Sequence, residues 1–225
     1  MKKIFLFFNI ILAVIIFAFN MCYAETSGLW LKGITSGLFV VLGLLNLIYV
    51  LVNKTTNKKF PILLVISLTI AMLGDIILNI HFLAGAIIFA IGHVFYLISY
   101  CFISRFRWLD IIIAFAIFIP SMLIIVLLPM FDFGGIVMEI VCVVYALIIS
   151  FMLGKAISNF IKERSITNFF ILLGSFLFFF SDLMLLFDVF ANVSIIFDTL
   201  CLATYYTGQT ILASSIFVNH TTKQQ

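Results

Sequence analysis

The chain has 225 residues, of which 65% are apolar and only 9% charged, with 28 phenylalanines and a formal net charge of +3. A soluble domain of this size needs a polar exterior that such a composition cannot supply, so the surrounding solvent is lipid. The basic residues fall in short clusters between apolar runs and not along one face, which argues against a nucleic-acid partner.

A helix that crosses the hydrocarbon layer needs roughly 20 apolar residues, because every backbone polar group must be satisfied internally there. That ruler gives eight predicted spans, at about 4–23, 30–52, 61–82, 85–104, 108–128, 135–154, 168–188 and 193–218. The expected fold is an all-α, polytopic transmembrane helical bundle forming a single transmembrane domain over 1–225. The first run follows Lys2-Lys3 and ends in Met21-Cys22-Tyr23-Ala24, a pattern that also fits a cleavable signal peptide; its length favours a retained span.

The loops give the orientation. Lys2, Lys3, Lys54, Lys58, Lys59, Arg105, Arg107, Lys155, Lys162, Arg164 and Lys223 fall on one side, leaving only Lys32, while the opposite loops carry Glu25, Asp132 and Asp188. An excess of Lys and Arg marks the cytoplasmic side. Both termini are therefore expected in the cytoplasm, in a multi-pass protein of the cell membrane.

Ionisable groups inside spans cost about 2.5–3.5 kcal/mol each to insert, so each is a candidate functional residue. In the second span, Lys32 is expected to snorkel to the interface, and Gly33-Ile34-Thr35-Ser36-Gly37 reads as a small-residue packing motif. The third carries Asp75 within Leu73-Gly74-Asp75-Ile76-Ile77-Leu78, with Asn79 at its end. The fourth carries His93 in Gly92-His93-Val94-Phe95-Tyr96; a turn near 83–85 would set His93 level with Asp75, and Tyr96 and Tyr100 extend its stripe. Glu139 begins the sixth span and reaches either the interface or a cavity. Asp182, in Phe180-Ser181-Asp182-Leu183-Met184-Leu185, has a setting like that of Asp75, which suggests a four-span duplication offset by 107 residues. The eighth offers Asp198, Tyr205, Tyr206 and Gln209. Prolines 61, 120 and 129 are expected near span ends or in loops. Cys22, Cys101, Cys142 and Cys201 stand singly, and His93 lacks histidine partners, so no disulfide, metal or other cofactor is expected.

With no Lys or Arg in any span besides Lys32, Asp75 and Asp182 are expected to serve chemistry. These motifs, with Ser181-Asp182, Tyr205-Tyr206-Thr207-Gly208-Gln209-Thr210-Ile211-Leu212-Ala213 and Leu31-Lys32-Gly33-Ile34-Thr35, resemble the YhhN-like lysoplasmalogenase family of polytopic membrane proteins. Gly33 stands where that family has proline. The resemblance implies cleavage of the vinyl-ether bond of a lysophospholipid drawn from the membrane lipids, giving a fatty aldehyde and a glycerophospho-alcohol. Asp75 and Asp182 would then be catalytic, with His93, Tyr96, Asn79, Ser181, Tyr206, Gln209 and Lys32 in support. The chemistry needs one group that protonates carbon and one that stabilises the resulting cation and guides water, roles a pair of carboxyls can divide. The alternative is a transporter that moves protons or cations along the same carboxylates.

Overall fold

A computed structural model of the chain describes residues 2–26, 28–53, 58–191 and 195–222. Lys54, Lys223 and the side chain of Glu25 lie outside the described residues. Eight helices follow one another: α1 (Lys2–Thr26), α2 (Leu29–Val52), α3 (Lys59–Leu78), α4 (Phe82–Cys101), α5 (Trp108–Leu127), α6 (Ile136–Lys162), α7 (Ile166–Ala191) and α8 (Ile195–Thr222). Helices α1 to α7 are long and apolar enough to cross a membrane. Helix α8, about 42 Å long at 1.5 Å per residue, is less apolar because it packs against α1, α2, α3 and α7 inside the bundle and carries polar groups there.

Hydrogen bonds tie the first run into this bundle. Asn9 and Asn46 exchange side-chain amide bonds of 2.8 Å, and Asn46 Nδ2 also donates to the Ala213 carbonyl at 3.0 Å, so one polar knot joins α1, α2 and α8.

The neighbour pattern of α2 repeats at α6, although the α8 backbone also comes close to α1 and α3, where that of α4 comes close to neither α5 nor α7. Helix α2 touches α1, α3 and α8, while α6 touches α5, α7 and α4; the hairpins α3–α4 and α7–α8 correspond. This is the arrangement expected of a four-helix duplication about an axis along the membrane normal.

Several expectations need correction. The α3–α4 turn lies at 79–81, not 83–85, because His81 is extended and its Nδ1 accepts from Ala84 N at 3.3 Å, which starts α4 at Phe82. Gly85 then faces Leu78, and Gly92 faces Ile70 and Ala71, so tightly at Gly85 that an added Cβ would lie 2.4 Å from Leu78 Cα. His93 is therefore about five residues, or roughly 7.5 Å, below the level of Asp75. Gly33 and Gly37 are not close-packing points: a Cβ at Gly33 would only graze Ile76 at 3.8 Å, and one at Gly37 would meet nothing within 4 Å. The close helix crossings are instead Gly174 against Gly208 and Gly154 against Ala114. Pro120 sits inside α5, where it removes one helical hydrogen bond. Helix α6 runs on to Lys162, and Lys155 is not a loop cation: it is wholly buried, with Nζ 2.9 Å from both Asp110 Oδ2 and the Arg105 carbonyl.

Candidate active site

Asp75 and Asp182 line one polar cavity of about 200 Å3 at the end of the bundle that holds the 79–81 turn. The opposite end carries Arg105, Arg107 and Lys162, where Arg107 Nη2 donates to Ser158 and Lys162 Nζ to Ser104.

Asp75 is surrounded by three donors from two helices. Lys32 Nζ on α2 lies 3.1 Å from Oδ1, while Ser36 Oγ on α2 and Tyr206 OH on α8, the latter at 3.0 Å, donate to Oδ2. Lys32 also reaches Asn79 Oδ1 at 3.2 Å and lies over the Tyr23 ring. It is 6% exposed and Asp75 3%. Lys32 thus does not snorkel to the interface; a buried charge needs a partner, and the carboxyl one helix away supplies it. Donors at both oxygens are the set that a carboxylate, not a carboxylic acid, accepts.

Asp182 has a different shell. Tyr145 OH on α6 donates to Oδ2 at 2.7 Å, and His93 Nε2 on α4 lies 2.8 Å from Tyr145 OH and 3.3 Å from the same Oδ2. Because the Tyr145 proton is directed at Asp182, its oxygen accepts from His93, which puts a hydrogen on Nε2. His93 Nδ1 faces Met152 Sδ at 3.3 Å. No described donor engages Asp182 Oδ1, and the side chain keeps 13% exposure toward the cavity. The two carboxyls are built alike: each takes a hydroxyl from the preceding even-numbered helix, Ser36 or Tyr145, and a second partner from the other half, Tyr206 or His93.

A second, apolar chamber meets the first. Leu78, Phe82, Phe89, Asp182 and Leu185 line both, and the apolar one runs on between α4, α6 and α7 past Cys142 and Phe179. Asp182 stands at the junction.

Of the residues expected to support the site, Lys32, Asn79 and Ser181 line the polar cavity, and Tyr206 and His93 each hold a carboxyl. Tyr96 and Gln209 do not line it: they bond each other at 2.6 Å in the core beside Phe178. Glu139 lies in the first turn of α6, away from both chambers, whereas Asp188 and Asp198 line the polar one. Ser36 and Tyr145 were not foreseen as partners. Ser36 was hidden inside an apparent packing motif, and Tyr145 is a lone tyrosine in an apolar run. Ser181 Oγ and Tyr205 OH are buried, face the cavity and have no protein partner among the described residues.

The YhhN family profile matches residues 35–216. The chain belongs to the YhhN family. The match takes in both aspartates and their hydroxyl partners, and begins just past Lys32. No curated protein and no solved structure matches the chain.

Proposed function

We propose that the protein is a membrane-embedded hydrolase of the vinyl-ether bond of lysoplasmalogens, acting on a single-chain lipid whose head group occupies the polar cavity. The observation that carries this reading is the unequal pair of carboxyls in one chamber. Asp75 is fitted with donors on both oxygens, whereas Asp182 turns a free oxygen toward the junction with an apolar chamber. Membership of the family supports it.

In this mechanism Asp182 Oδ1 delivers a proton to the outer vinyl carbon, and the C=C electrons form that C–H bond while the ether oxygen shares the resulting cation as an oxocarbenium ion. Asp75, as carboxylate, accepts a proton from water as its oxygen attacks the oxocarbenium carbon. The hemiacetal collapses as Asp182, now a carboxylate, takes the hydroxyl proton and regains its acid form. The C=O bond forms, the C–O bond breaks with its electrons on the alcohol oxygen, and that oxygen takes the proton Asp75 had accepted from water, which returns Asp75 to the carboxylate. Tyr145 and His93 fix the Asp182 carboxyl so that Oδ1 faces inward. General acid–base groups of this kind contribute about 10²–10⁴-fold each.

The duplicated architecture also suits a transporter. Helices α3 and α7, however, run unbroken through both aspartates. The test is aldehyde release from lysoplasmalogen by purified protein. Asp75→Asn and Asp182→Asn should each lose at least about 100-fold in kcat while remaining folded, Asp182→Asn within a few degrees of the wild-type melting temperature and Asp75→Asn lower, because it leaves the buried Lys32 cation unpaired. Undiminished aldehyde release in either variant sinks the paired-carboxyl reading, and proton-coupled flux without any aldehyde replaces it with transport. With positive charge inward, the cavity opens on the extracytoplasmic face of the cell membrane.

A further inference from the structure

We propose that the substrate's single alkenyl chain, carried by a bilayer lipid, reaches Asp182 sideways through a portal between α4 and α6. This rests on the hydrolase reading above and adds its route of access. On the outer wall of the bundle, α4 and α6 part to leave a groove of about 320 Å3 with no polar lining surface. Its lips are Ile87, Ile91, Ile140 and Val144, which are 46–54% exposed to the surrounding lipid. Its floor is small: Ala86 and Ala90 on α4 leave the space that a larger side chain would fill.

The groove backs onto the apolar chamber: Ala86, Val141 and Tyr145 line both, and that chamber shares Asp182 with the polar cavity. The three concavities thus stand wall to wall in sequence from lipid to carboxyl to polar mouth. Tyr145 stands at the inner end of the groove, and the same side chain donates to Asp182, so a chain lying in the groove leads straight to the acid. At the symmetry-related crossing of α2 and α8, α1 lies against both helices and the groove there is lined by α1 and α8, whereas α5 packs against α6 and not against α4. A diester lipid would have to thread two chains through a floor sized by two alanines. A lysolipid brings one.

The occupant is the alkenyl chain of a single-chain ether lysolipid, with its polar end toward the cavity that holds Lys32 and Asn79. The portal is tested by Ala90→Trp, which fills the floor, and independently by Ile87→Cys labelled with a bulky maleimide after purification, which closes the lip of an already folded protein. Wild-type protein treated with the same reagent controls for the native cysteines. Each form is assayed in proteoliposomes on a long-chain lysoplasmalogen resident in the bilayer, and on a short-chain vinyl-ether glycerophosphoethanolamine that is monomeric in water and gains access through the polar mouth. Long-chain hydrolysis is expected to fall at least tenfold in both blocked forms, with the short-chain rate within twofold of wild type. Equal rates on both substrates in blocked and wild-type protein overturn the portal, and so does an equal loss on both. Photolabelling with a lysophosphatidylethanolamine bearing a chain-borne diazirine separates the two proposals. Labelled α4 and α6 peptides that vanish in Ala90→Trp uphold the portal even if wild type releases no aldehyde, whereas labelling unchanged by the block overturns it.

Discussion

Replacing Lys32 by methionine tests the charge arrangement around Asp75. The change keeps most of the side-chain volume and removes the cation from a pair in which both members are less than a tenth exposed. Removing one partner of a buried ion pair costs about 3–5 kcal/mol, chiefly because the other charge is left unpaired. Asp75 would keep the Ser36 and Tyr206 hydroxyls, which holds the cost near the lower end, about 3 kcal/mol. At about 2–4 °C per kcal/mol for a chain of this size, the apparent melting temperature should drop by roughly 6–12 °C. Asp75→Asn in the same background removes the stranded charge and should recover most of the loss, so the two substitutions are strongly non-additive. The assay is thermal unfolding of detergent-purified protein followed by intrinsic fluorescence, for wild type, both single variants and the double. If Lys32→Met melts within about 2 °C of wild type, or if the double variant is no more stable than the single, Lys32 and Asp75 are not a coupled buried pair.

Tyr145→Phe removes one hydroxyl donor from Asp182 without opening a cavity, and should lower kcat by about 5–30-fold, equivalent to roughly 1–2 kcal/mol, with little change in KM; an unaltered kcat in steady-state aldehyde release contradicts the orienting role. Asn9→Leu leaves the Asn46 amide half satisfied and should cost about 1 kcal/mol of stability. Asn9→Leu with Asn46→Leu should be no worse than the single variant, as measured by the same melting assay, because paired polar groups replaced together leave no orphan.

Helices α1 to α7 were legible because they rest on length and hydropathy alone and satisfy both criteria, whereas α8, expected as an eighth span, is long but less apolar. The two aspartates were legible because an ionisable group in lipid is costly wherever it faces, so its presence speaks before any geometry is known. Depth was not legible to better than a turn and a half. It depends on where α4 begins, and the cap formed by His81 is a side-chain conformation that no periodicity reveals. Lys32 was misread for a related reason: at a span end, snorkelling and inward pairing have the same sequence, and only the rotation of α2 distinguishes them. Tyr145 gave no signal, since a tyrosine that orients a carboxyl across two helices looks like any tyrosine in a membrane helix. Tyr96 and Gln209 show the reverse error, because side chains one turn from a functional residue need not share its cavity. Ser36 stood in a glycine-flanked small-residue run that drew attention to packing.

Proton delivery from Asp182 to a vinyl carbon leaves an isotopic trace when the reaction is run in heavy water. Purified protein is given lysoplasmalogen in D2O, and the aldehyde is analysed by mass spectrometry. The mechanism predicts aldehyde carrying one deuterium on the carbon next to the carbonyl, formed by wild type and reduced at least about 100-fold in Asp182→Asn. Aldehyde without deuterium at that carbon, or an Asp182→Asn variant that forms it at the wild-type rate, would contradict the account.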